Sequence, residues 1–159
     1  MLTRVFLATV LILPATRASA QLSPTTFGGL PLWADSALRA AGLDQRFKLS
    51  SALNPVYEFG DFDRDGLVDI AVEIKDAGGL RCGVAITHRI DRSVHIVGAG
   101  EPLGNGTNQL VCGRWGVQAG RHSHRHVGFG PDLLYVTDPR GHNGWFAWDG
   151  HSYVWIEME

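Results

Sequence analysis

The 159-residue chain has little charge of either sign in excess, no apolar run long enough to span a bilayer, no internal repeat and only two cysteines. Each scarcity excludes something. With 14 basic against 16 acidic residues, a formal charge of −2 and a pI near 6.4, the chain lacks the electrostatic footprint of a nucleic-acid or anionic-membrane binder. Val5 to Pro14 is apolar, but a transmembrane helix requires roughly 20 such residues. There is no G-x-S-x-G elbow, no H-E-x-x-H, no P-loop and no nucleophilic cysteine beside a candidate base, so a binding role is expected ahead of a catalytic one. Charged residues at 19% and hydrophobic residues at 45% otherwise describe an ordinary globular protein.

The N-terminus has the layout of a secretory signal. Arg4 supplies a positive start, Val5 to Pro14 an apolar centre, and Ala18-Ser19-Ala20 a small-residue cleavage site. Residues 1–20 are therefore expected to be a signal peptide, and 21–159 a single domain with no membrane insertion after cleavage. Removing Arg4 and Arg17 takes away two positive charges and no acid, which moves the formal charge from −2 to −4. The destination expected is periplasmic or secreted. In such an oxidising compartment Cys82 and Cys112 are expected to form a disulfide, two buried free thiols being the alternative. In the chain-entropy model, closing that loop stabilises by roughly 3–4 kcal/mol.

Twenty glycines and seven prolines favour many turns and a β-rich build. The stripe Leu32, Trp33, Ala37, Leu38 and Ala41, stopped by Gly42, predicts a short helix over 32–41. Strands are predicted over 47–54, 67–74, 82–88, 93–98 and 133–137, with a final hairpin (144–148 and 152–157) turning at Asp149-Gly150. The fold class expected is α+β, mainly β. It would be a twisted antiparallel sheet of about five to seven strands with one short N-terminal helix covering a face, not a closed propeller. Trp145, Trp148 and Trp155 on the last hairpin are expected to pack against that helix.

The most specific stretch is Gly60-Asp61-Phe62-Asp63-Arg64-Asp65-Gly66-Leu67-Val68-Asp69. Four carboxylates fall within nine residues and repel one another in a folded turn unless a cation sits between them. Calcium takes six to eight oxygen ligands at about 2.3–2.6 Å. Asp61, Asp63, Asp65 and Asp69 can supply side chains, the Leu67 carbonyl a fifth donor, and Gly66 the sharp turn. An EF-hand would have a bidentate Glu at position twelve, where this chain has Val72, and helices on both sides. The alternative is a solvated acidic turn without metal. The pattern D-x-D-x-D-G-x-x-D entering a strand resembles the calcium loops of FG-GAP and VCBS repeats. That resemblance covers about residues 57–74 and implies calcium on Asp61, Asp63, Asp65 and Asp69. Those repeats recur to close a propeller; this chain carries one copy.

Gly98 to Gly130 contains nine glycines and the alternating His122, His124 and His126. Imidazoles at such spacing face one side of an extended segment and suit zinc, copper or nickel, so a second metal or contact site is a candidate there. Asn105-Gly106-Thr107 fits an N-glycosylation acceptor, with a glycine-rich turn as the plainer reading. The function expected is an exported calcium-binding protein whose ion is mainly structural. A second reading is a periplasmic interaction protein of the inhibitor or immunity type using Gly98–Gly130; the partner would be a protein or a carbohydrate, a sheet face of the hairpin tryptophans and Tyr153 being the alternative surface for a sugar or a partner. A third is a metal-dependent hydrolase built on the three histidines.

Overall fold

Alternating apolar residues between aspartate- and glycine-bearing turns build nine strands and two short helices among the described residues. The structure, a computed structural model, describes residues 29–50, 57–119 and 132–158. In chain order they are α1 (Leu32–Ala40), α2 (Leu43–Arg46), β1 (Phe47–Leu49), β2 (Tyr57–Gly60), β3 (Asp69–Asp76), β4 (Cys82–Thr87), β5 (Val94–Gly98), β6 (Trp115–Gln118), β7 (Leu133–Thr137), β8 (Asn143–Trp148) and β9 (Tyr153–Glu157). The protein is mainly β, as expected. The strands divide between two antiparallel sheets rather than lying in one. The first has the order β1-β3-β4-β5, with β2 also on β3, and the second the order β6-β7-β8-β9.

The split has a physical basis. In β3 and β4 every residue from Asp69 to Ile74 and from Cys82 to Thr87 is buried, so this pair has no solvent face and must be covered twice. On one side, Ile70, Val72, Ile74 and Ala85 pack with Ala34, Leu38 and Leu43 of the helices. On the other, Ala71, Val84, Ile86 and Val97 pack with Leu134, Val136 and Phe146 of the second sheet. Odd and even positions of β3 thus serve different cores, as the two-residue period of a strand dictates. A single sheet with one helix could cover only one of those faces.

The helix departs from its expected stripe. Its buried residues are Ala34, Asp35, Ala37 and Leu38, Leu32 is 79% exposed and Ala41 lies on the surface. Asp35 tolerates its position because Arg39, one turn on, donates to it at 2.9 Å. Trp155 packs on the core between the sheets, beside Phe146 at a centroid distance of 5.5 Å. The helix is on the other side of the first sheet, so the tryptophans of the hairpin do not meet it.

Hairpin turns share one device, an aspartate accepting amides of its own turn. Asp76 takes Leu80 and Arg81, Asp91 takes Ser93, Asp138 takes Arg140 and His142, and Asp149 takes His151 and Ser152. Cys82 and Cys112 are joined in a disulfide, which fastens the start of β4 to the segment leading into β6. Nearby, the buried Glu73 of β3 accepts the Gly113 amide at 2.6 Å. The described part of Gly98–Gly130 is therefore no free loop: Leu103, Leu110 and Trp115 belong to the core between the sheets. No helix among the described residues is long and apolar enough to cross a membrane. The proposed signal, residues 1–20, lies outside the described residues.

Candidate metal centre

The loop between β2 and β3 folds back on itself through its own carboxylates. Asp61 accepts the Gly66 amide at 3.2 Å, Asp63 the Asp65 amide at 3.1 Å, and Asp65 the Leu67 amide at 2.6 Å. The reversal requires two left-handed residues, Gly66 at φ 82° and Arg64 at φ 69°. Glycine adopts that conformation freely; Arg64 is held there by the bonds on either side of it.

Between the acids stands Phe62, which is fully buried in the core between the sheets. Its amide donates to Asp69 at 2.9 Å. Alternation thus sends the Phe62 ring inward while Asp61 and Asp63 turn toward the loop interior. The loop's entrance is pinned from the second sheet, where Asp132 accepts the Asp61 amide and donates its own amide to the Asp61 carbonyl, both at 2.9 Å.

Asp61, Asp63 and Asp65 each bring a carboxylate oxygen to within 4.8 Å of the other two. Asp69 joins a different trio, with Asp63 and His88, under the same 4.8 Å limit. The four acids of the sequence pattern therefore form two overlapping groups that share Asp63. Leu67 lies on the exposed side of the loop, 43% accessible.

The electrostatics of this region differ from those of the hairpin turns. Asp76 has Arg81 at 2.8 Å and Asp138 has Arg140 at 2.7 Å. No lysine or arginine ion-pairs with Asp61, Asp63, Asp65 or Asp69 among the described residues. One oxygen of Asp61, Oδ1, is buried without a hydrogen-bond partner. Asp69 is completely buried, and its carboxyl is pushed up to about 6. Burial away from water causes most of that rise, the amides of Arg89 and Phe62 oppose it, and the charges of Asp63 and Asp65 add to it.

His88 was not legible as a site residue from its surroundings in the chain. It follows β4 and is 2% exposed. Its Nδ1 lies 3.4 Å from Asp63 Oδ2 and 3.3 Å from Ser93 Oγ, and its Nε2 lies 2.6 Å from the Tyr153 hydroxyl. The rings of His95, Trp148 and Tyr153 surround it at centroid distances of 4.6, 4.8 and 5.8 Å. Burial lowers the His88 pKa below its ordinary value, against the pull of Asp63, Asp91 and Asp65, so a neutral imidazole is favoured at neutral pH. What brings it to the site is the β register, since Ile70 pairs with Thr87 and so sets Asp69 beside His88.

Asn105 accepts from the amide and hydroxyl of Thr107 at 3.1 and 2.8 Å, which makes this stretch a self-bonded turn. His122, His124 and His126 lie outside the described residues. No family model, no curated protein and no solved structure matches the chain.

Proposed function

We propose that this chain is an exported calcium-binding protein in which the ion is bound by Asp61, Asp63, Asp65 and the Leu67 carbonyl, the fourth acid of the pattern, Asp69, standing with His88 instead. The ion's role is mainly structural, and the protein acts by binding rather than by catalysis. The observation that carries this reading is the missing counter-charge. Four acids crowd one turn with no lysine or arginine paired to any of them among the described residues, whereas Asp76 and Asp138 each have an arginine. Asp61 and Asp63 are half-buried and Asp65 is exposed, and carboxylates held this close repel one another unless a cation stands between them. The unpartnered, buried Asp61 Oδ1 supports the same reading, because a carboxylate oxygen without a donor is suited to a hard cation. The likeness of the loop to FG-GAP and VCBS calcium loops agrees with it. Export rests on the signal-like N-terminus and accords with the closed Cys82–Cys112 disulfide.

Extracellular calcium modules bind at about 10⁻⁴–10⁻³ M. At calcium about 10 to 100 times above the dissociation constant, mass action adds about 1.4–2.7 kcal/mol of stability. The test is a thermal melt and a calorimetric titration of the chelated protein. Calcium should raise the melting temperature, chelator should reverse the rise, and Asp61→Asn or Asp65→Asn should abolish it. No binding heat and no thermal shift at millimolar calcium would reject the reading.

A further inference from the structure

The carboxylate of Asp63 faces two ways. Its Oδ1 accepts the Asp65 amide within the loop, while its Oδ2 lies 3.4 Å from Nδ1 of His88 on the interior side. Asp69, completely buried, completes a second group in which a ligand atom from each of Asp63, Asp69 and His88 lies within 4.8 Å of the others. This group is built from three places: the loop, the start of β3 and the end of β4. We propose that Asp63, Asp69 and His88 form a second divalent-cation site, distinct from the calcium loop, that takes a first-row transition ion such as zinc, cobalt or manganese.

Donor chemistry separates the two sites. Calcium prefers an all-oxygen sphere, whereas an imidazole with two carboxylates is an N/O set of the kind borderline transition ions take. The surroundings of His88 also suit a ligand. Tyr153 lies 2.6 Å from Nε2 and holds the ring through the nitrogen opposite Nδ1. With Nε2–H donated to the Tyr153 oxygen, Nδ1 keeps a lone pair for an ion, with Asp63 Oδ2 at 3.4 Å and the Ser93 hydroxyl at 3.3 Å from it. Metal-bound histidines are commonly held by such a hydrogen bond on the other nitrogen. Both oxygens of Asp69 accept backbone amides, Arg89 at 2.7 Å and Phe62 at 2.9 Å, which fixes the carboxylate while each oxygen keeps a further lone pair. No arginine or lysine pairs with Asp63 or Asp69 among the described residues, so a bound dication is the nearest available compensation for two largely buried acids.

The two proposals share Asp63 but fail separately. The test uses the full chain with His122, His124 and His126 changed together to alanine, so that those imidazoles cannot take up the same ions. Cobalt(II) is titrated into the chelated protein and followed by visible absorption and calorimetry, with and without calcium. One equivalent of cobalt with a ligand-field band, lost in His88→Gln and retained in Asp65→Asn, is the expected result. His88→Gln should keep its calcium-induced thermal shift. Absence of cobalt uptake, or uptake that His88→Gln leaves unchanged, overturns the second site whatever calcium does. Cobalt binding without any calcium response leaves the second site standing and removes the calcium reading. Should His88→Gln not fold, Tyr153→Phe decides the case. It should weaken cobalt by about 10–100-fold, and unaltered affinity overturns the proposal.

Discussion

Replacing Phe62 by alanine separates the loop from the core to which it is anchored. The Phe62 ring is fully buried among residues of both sheets, including Ala71, Val84, Leu134 and Phe146. A Cβ placed on Gly60 would sit 2.8 Å from that ring, so the packing leaves little slack in which neighbours could collapse. Truncations of this type cost about 3–5 kcal/mol, combining lost transfer energy with a residual cavity. At about 4 °C per kcal/mol for a domain of this size, the melting temperature should fall by about 12–20 °C. That is a large part of a typical total of 5–15 kcal/mol. The same residue fixes the acids on either side of it, and its amide holds Asp69. Phe62→Ala should therefore also weaken calcium, while Phe62→Leu should lose less of both. Urea unfolding in chelator, at constant m-value, measures the first effect, and calcium titration of the folded variant the second. A loss below about 1 kcal/mol in Phe62→Ala, where a buried phenylalanine should cost several, would refute the anchoring argument. So would an unchanged calcium affinity.

Three further outcomes follow from the packing and the charges. Opening the disulfide with Cys82→Ser and Cys112→Ser, 30 residues apart, should cost about 3–4 kcal/mol, read as a lower urea midpoint that reductant reproduces in the parent. Gly83→Ala should destabilise severely, because a Cβ there meets the backbone of Val97 and Gly98 at the end of β5 and of Ala99 just beyond it; a parent-like melt would show that the β4–β5 spacing is adjustable. Asp138 is completely buried; burial tends to raise its carboxyl, but Arg140 and the His142 and Arg140 amides outweigh it and hold it below the ordinary value. Asp76 is lowered to about 2 by the Arg81 side chain and the Arg81 and Leu80 amides. A lowered folded pKa gives stability that is present above about pH 4 and is lost as pH falls through the folded value. Acid unfolding should therefore steepen below pH 4 in the parent, and Asp138→Asn should remove about 1–3 kcal/mol at neutral pH while flattening that decline.

Strand positions were legible where alternation and turn residues coincide, as at Asp149-Gly150 between β8 and β9. The boundary of β3 was less so. Val68 looks like part of the apolar run, yet it is 56% exposed and the strand begins at Asp69, where Phe62 and Arg89 amides close on the carboxylate. The acids of the loop could be named from the chain because they lie within nine residues of one another. Asp132 and Tyr153 could not, since they reach the site from 71 residues beyond Asp61 and 65 beyond His88.

The sequence by itself determined the local chemistry: the spacing of the four aspartates, the glycine that reverses the loop, the cysteine pair and the mainly β character. Those are properties of neighbours along a chain. Only the tertiary structure decided that β3 and β4 are buried on both faces, so that the strands divide into two sheets with the helices on the far side. It also decided that Asp69 turns inward to His88 rather than outward to Asp61 and Asp65. The reason is the two-residue period of the strand: the pairing of β3 with β4 fixes which carboxylate faces the second sheet, and that register is set by packing across the chain.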